Sequence, residues 1–116
     1  TSNTATPHTL AAKGSLASPT VGTEQFGINL VANTSPASFG DDPAPQPNGN
    51  FASGEAATGY STANEFKYNV GDTIAQSSGS GWGATIYTIS YVADISIVTP
   101  AGSYSMVHNL VVVATY

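Results

Sequence analysis

No stretch of this chain carries the i, i+3, i+4 spacing of apolar residues, set among helix-forming polar residues, that an amphipathic helix requires. Instead, 12 glycines, 7 prolines and many β-branched residues interrupt its 116 positions every few residues. Helices propagate poorly through such interruptions, whereas short strands joined by turns use them. The expected class is all-β.

Two stretches alternate with the period of two that sends successive side chains to opposite faces of a sheet. In residues 24–33, EQFGINLVAN, Phe26, Ile28 and Leu30 alternate with Gln25, Gly27 and Asn29. Residues 84–98, ATIYTISYVADISIV, form the clearest strand. Tyr87, Ile89, Tyr91, Ala93 and Ile95 make one face, and Ile86, Thr88, Ser90, Val92 and Asp94 make the other. A TPAG turn then leads into a last strand over residues 103–116.

Between these lie weaker signals. Residues 8–12 are a candidate short strand in a Thr/Ser/Ala/Pro-rich segment, residues 1–23, read as an extended N-terminal arm. TSPASFGDDPAPQPNGN (residues 34–50) reads as a long turn-rich connection, with four prolines and an Asn-Gly step. GYSTANEFKYNVGDTIA (residues 59–75) reads as loop, short strand, tight Val-Gly-Asp turn and short strand, and QSSGSGWG as a flexible loop.

The last run, read by period, places Tyr104, Met106, His108, Leu110, Val112 and Ala114 on one side. Val107, Asn109, Val111 and Val113 fall on the other. From Leu110 onward both sides are apolar, which predicts a strand covered on both faces. Residues 104–116 could extend about 43 Å at roughly 3.3 Å per residue, about twice a typical strand. Long strands need long neighbours, and the six or seven strands counted here do not supply them. The expected architecture is an immunoglobulin-like antiparallel β-sandwich over residues 24–116. It is read as incomplete, and completed by an upstream strand or by strand donation from a neighbouring subunit. The segment 1–23 is the candidate donor, with Leu10, Leu16 and Val21 as its apolar contacts.

Charge narrows the function classes. Only 8% of residues are charged, with two lysines, no arginine and a net charge of −5, against about 25% in ordinary domains. The polar surface must therefore consist of hydroxyls and amides, which are cheaper to bury against another subunit than charges. Nucleic-acid binding needs Lys or Arg against phosphate, and Lys13 and Lys67 cannot supply it. Anionic membranes demand polybasic segments, and the longest apolar run, residues 110–114, is far short of a membrane span. With no cysteine, disulfides and thiolate metal sites are excluded. The chain does not begin with Met and shows no signal peptide, as expected of a mature, processed or excised form.

Motifs for chemistry are scarce. Asp41 and Asp42 form an acidic pair, with Glu55 and Asp72 elsewhere, and are the calcium candidates. They lack the spacing of a calcium loop and also suit turn capping. His8 and His108 are too few for a metal site and have no nucleophile elbow beside them. Adjacent aspartates on a proline-rich loop cannot face each other across a glycosidic bond, so no enzyme is expected. No cofactor is expected either. Lys67 and Asn109, with Glu65 or Asp94, are the residue types of an intramolecular amide cross-link, which would lower the mass by one ammonia. Trp82, in SGSGWGAT, is either a stacking platform for a sugar or interface, or a plug closing one end of the fold. Asn33-Thr34-Ser35 is a glycosylation sequon. Tyr104, just after the TPAG corner, is read as structural, its hydroxyl bonding back to the corner backbone.

Three segments together, GTEQFGINLVANTSPASFGDDP, GYSTANEFKYNVGDTIA and YTISYVADIS…TPAGSY…LVVVATY, resemble small secreted surface proteins of candidate-phylum bacteria. The resemblance covers residues 9–116. It implies an exported β-sandwich with extra strands upstream, at the cell surface or outside the cell, and carries no catalytic residues.

The expected function is that of a structural subunit of an extracellular fibre, pilus or surface matrix, self-associating into a homopolymer by β-strand complementation. The alternative is an extracellular adhesin or carbohydrate-binding module. Its ligand would be a glycan or another surface molecule, bound at Trp82 and the loops around Asp41 and Gly79.

Overall fold

The computed structural model describes residues 2–3 and 8–114. The described residues contain no helix and nine short strands: β1 (Ser2–Asn3), β2 (His8–Thr9), β3 (Gln25–Asn29), β4 (Ala44–Gln46), β5 (Gly54–Ala56), β6 (Ala75–Ser77), β7 (Ala84–Ile86), β8 (Ser90–Asp94) and β9 (Tyr104–Ser105). Every pairing between them is antiparallel: β2–β1–β9, β3–β8, β4–β7 and β5–β6. The all-β class is as the residue pattern predicts.

Strand β3 is the centre of the fold. One edge pairs with β8 over five residues, from Gln25 opposite Asp94 to Asn29 opposite Ser90. The other edge is shared between two segments. Phe26 donates to the Ala11 carbonyl (2.9 Å) and accepts from Lys13 (2.7 Å), and Ile28 exchanges two bonds with Lys67 (3.0 and 3.1 Å). Residues 11–17 therefore lie against the body of the fold, and further bonds run from Tyr68 to the Lys13 carbonyl (2.8 Å) and from Phe66 to the Ala17 carbonyl (3.0 Å).

With neighbours on both edges and both faces, all five β3 residues are buried. One face carries Phe26, Ile28 and Leu30 into a core cluster with Tyr60, against which Tyr68, Ile74, Tyr87, Ile89 and Met106 pack. The opposite face carries Gly27, and there Phe66 lies so close that a Cβ at Gly27 would come within 2.9 Å of the Phe66 Cβ. Glycine is required at this position by close approach. Phe66 itself is fully buried and stacks on Phe39, with ring centroids 6.1 Å apart.

Two expectations about strand length are overturned. Residues 84–98 do not make one strand. The run divides into β7, which pairs with β4, and β8, which pairs with β3. Residues 87–89 between them carry the chain from one partner to the other. The β4 strand itself arises inside the proline-rich connection, where Pro45 lies opposite Thr85 in a two-stranded pair that leaves room for a residue without an N–H.

The terminal run is likewise not a strand over residues 103–116. Among the described residues its ladder covers Tyr104–Ser105, paired with Asn3 and Ser2 of β1. Residues 106–114 continue without strand pairing, while 115 and 116 lie outside the described residues. Residues 109–114 are all exposed, so the expected cover over Leu110 to Ala114 is absent from the described chain.

The molecule is elongated, with extents of 50 × 27 × 21 Å and a radius of gyration of 15.9 Å. A compact domain of this length has a radius of about 13 Å.

Candidate functional site

The last segment changes character at His108. Tyr104, Met106 and His108 point inward and are half-buried, as their alternation predicts. The Tyr104 hydroxyl donates to the Pro100 carbonyl at 2.7 Å, holding the corner that starts the segment. Met106 packs on the core cluster. His108 stacks on Tyr68 (centroids 5.3 Å, 12° between planes), lies 5.5 Å from the Tyr91 ring and meets the Phe26 edge. Its Nδ1 is 3.3 Å from the Tyr91 hydroxyl, and its Nε2 is buried with no hydrogen-bond partner. Beyond this anchor Leu110, Val111, Val112 and Val113 extend into solvent, Val112 with 94% of its surface exposed. Among the described residues no backbone hydrogen bond engages this uncharged segment, which carries apolar side chains at both parities of its alternation.

A complementary edge lies on β8. The N–H and C=O of Phe26 and Ile28 are engaged by residues 11–13 and 67. In an antiparallel pair only alternate residues exchange bonds, so the β3–β8 ladder is carried by Gln25, Gly27 and Asn29. By the same alternation Tyr91 and Ala93 turn their backbone groups toward the other edge of β8, where no strand pairs among the described residues. Tyr91, Ile95, Ile97 and Val98 are exposed along this region. Asp94 is held by the Gln25 amide at 2.9 Å, and the Glu24 carboxylate accepts from the Thr99 hydroxyl beside Val98.

The N-terminal candidates are distributed differently from the expectation of one free arm. Leu10 is 4% exposed and belongs to the chain's own core. Leu16 is half-buried, and Val21 is 96% exposed. Because the intervening backbone is bonded to residues 26, 66 and 68, Leu10 cannot reach a partner in this fold.

Trp82 is 85% exposed and meets Phe51 edge-on, with centroids 4.8 Å apart. It forms a ledge on the surface and does not plug the fold. The loop that presents it rests on the 46–51 turn through a bond from Gly83 to the Phe51 carbonyl (2.7 Å), and a side chain at Gly83 would collide with the Gln46 and Phe51 carbonyls. Hydroxyls of Ser53 and Ser77 both donate to the Gly79 carbonyl nearby, at 2.9 and 2.7 Å.

The acidic residues are dispersed. Asp42 accepts from the Ala32 N–H at 3.0 Å, Glu55 accepts from Gln76 at 2.9 Å, and Asp41 is exposed. Among the described residues no three metal-ligating side chains converge. The Lys67 amine is committed to Asp72 at 2.7 Å and lies over the Tyr60 ring, while Asn109 is exposed on the terminal segment and Asp94 is held by Gln25. Asn33, the sequon asparagine, is 2% exposed, and its amide nitrogen donates to the Val31 carbonyl at 2.9 Å. A glycan on that nitrogen is incompatible with the folded chain.

Two charged clusters give titration predictions. Tyr60 donates to Asp72 at 2.9 Å, and burial, reinforced by that carboxylate, pushes its hydroxyl up to about 12. A raised folded value stabilises the fold below the ordinary pKa of 10 and is lost as the pH climbs toward 12. Ultraviolet absorbance should show a tyrosinate phase near pH 12 that Tyr60→Phe removes, and a persisting phase would contradict this placement.

At acid pH the sign is opposite. The Thr99 hydroxyl and then His8 hold Glu24 below its ordinary 4.5, and Lys67 and then Tyr60 hold Asp72 below 3.8. Both contributions are present above those ordinary values and disappear as the pH falls through the lowered ones. Thermal melts should lose stability below about pH 4.5, and the double variant Glu24→Gln/Asp72→Asn should flatten that limb.

No protein-family model, curated protein or solved structure matches this chain. Among the described residues no helix is long and apolar enough to cross a membrane.

Proposed function

We propose that this chain is a structural subunit of an extracellular fibre, pilus or surface matrix. It is read as an incomplete immunoglobulin-like β-sandwich whose copies complete one another by β-strand complementation. The observation that carries the reading is the exposed segment 109–114, apolar from Leu110 and without a strand partner among the described residues, which follows the His108 anchor. A row of Leu and Val left exposed on an open backbone is a template for pairing with another chain. A surface with 8% charged residues offers little repulsion or desolvation penalty to such packing. Contact between unlike surfaces on successive copies does not close, and so generates filaments. Electron microscopy of the purified protein should show filaments with one repeating subunit. A monodisperse monomer at every concentration would remove the reading.

A second reading, an extracellular adhesin or carbohydrate-binding module, is favoured by Trp82 alone. Its exposed face, braced by Phe51 and flanked by serine hydroxyls, has the chemistry of a sugar-stacking ledge. Glycan-array binding lost in Trp82→Ala would support it, and tryptophan fluorescence unchanged by every glycan would count against it.

A further inference from the structure

Resting on the assembly reading, we infer that the donor is the C-terminal segment 109–114 and the acceptor is the free edge of β8 in a second copy. The expected N-terminal donor is already occupied: Leu10 is in the chain's own core and residues 11–17 are bonded to it. The segment is anchored by Met106 and His108, and beyond that anchor residues 109–114 are exposed. The β8 edge presents the N–H and C=O of Tyr91 and Ala93, the complement an added strand needs.

Surface area argues for a second copy as the occupant. A monomeric protein of 11.7 kDa exposes about 5,900 Å². This chain exposes 7312 Å². The excess, about 1,400 Å², is close to what each subunit buries when it makes two standard contacts of roughly 800 Å² per side, one as donor and one as acceptor.

Charge argues for the same pair of surfaces. Each copy carries −5, so copies repel except where uncharged surfaces meet. Residues 103–114 hold no acid or lysine, and residues 84–98 hold only Asp94, which is held by Gln25. Leu110 and Val112 share one face of the added strand and Val111 and Val113 the other, so both sides of the interface gain apolar contact.

The test uses one lesion on each surface of the full chain. Val112→Lys places a charge in the donor. Ala93→Pro removes an edge N–H that the fold itself does not use. Each variant alone should raise the concentration needed for association by about 30-fold or more, the effect of losing a hot-spot contact. Mixed in equal amounts they should form a heterodimer and nothing larger, because one intact donor meets one intact acceptor. Sedimentation velocity reads all three states, and near-ultraviolet circular dichroism checks folding. If Ala93→Pro does not fold, Ala93→Lys takes its place. Variants that polymerise like the parent, or that fail to pair when mixed, overturn the donor–acceptor assignment while leaving assembly standing. A parent chain that is monomeric at every concentration overturns both.

Discussion

Phe66→Ala should lower the free energy of unfolding by about 3–5 kcal/mol, the cost of removing a large buried aromatic. Phe66 is fully buried against Gly27 on one side and the Phe39 ring on the other. Its backbone also ties residue 17 to the body by two bonds. Alanine leaves those backbone bonds possible but opens a cavity that the short, turn-rich segments around it cannot collapse to fill. Urea denaturation followed by tyrosine and tryptophan fluorescence measures the loss, with Val21→Ala, at a 96% exposed position, as the reference expected within about 0.5 kcal/mol of the parent. A loss below about 1 kcal/mol would mean that Phe66 is not the second anchor of β3. For a domain of this size a loss of 3–5 kcal/mol is a large share of the total stability, so the midpoint should move strongly.

Asn33→Ala should cost about 3 kcal/mol or more through unpaired polar groups, with little cavity term. Asn29 and Asn33 are both almost fully buried and exchange amide bonds at 2.7 and 3.0 Å. The Asn33 side chain also donates to Val31 and accepts from the Asn64 N–H at 2.8 Å. Asn64, at a positive φ of 63°, then accepts from Thr34 and Ser35 with its own side chain. Removing Asn33 strips a partner from Asn29, the Val31 carbonyl and the Asn64 N–H together, in a site that water cannot reach. The same denaturation measurement applies. Asn48→Ala, whose side chain serves only the exposed Asn50 N–H, is the control expected to cost well under that amount. Equal losses in both variants would show that the buried network is not what holds the 29–35 segment to the 62–65 turn.

What could be read from the residues alone was local. The Val-Gly-Asp turn is present, with Gly71 at a φ of 89°. The TPAG corner is closed by the Tyr104 hydroxyl, and the inward alternation of Tyr104, Met106 and His108 is visible in their spacing. The run Phe26, Ile28, Leu30 marks the core because period two and apolarity coincide there. Pairing was not legible. A strand exists only as far as a neighbour follows it, so ATIYTISYVADISIV, uniform in composition, divides at the point where its partner changes from β4 to β3. Strand β4 was hidden by Pro45 and by the prolines that flank it, which signal turns locally, whereas a proline is tolerated on an edge.

The candidate assembly surface divides in the same way. Uncharged polarity and the Leu-Val run were plain in the sequence, but the direction of donation was not. Nothing in HTLAAKGSL distinguishes a free arm from one bonded along β3, and the bonds from residues 11–17 to Phe26, Phe66 and Tyr68 decide it. Likewise the commitment of Lys67 to Asp72 and the burial of Asn33 depend on contacts between segments remote in sequence.

The sequence by itself determined the class, an all-β chain of short elements with an uncharged surface, because helix formation, turn geometry and charge are properties of neighbouring residues and of composition. Only the tertiary structure decided which segments pair, which apolar run is buried and which is left open, because those depend on the finite length of each partner. Beyond Ser105 the terminal valines have no strand partner among the described residues.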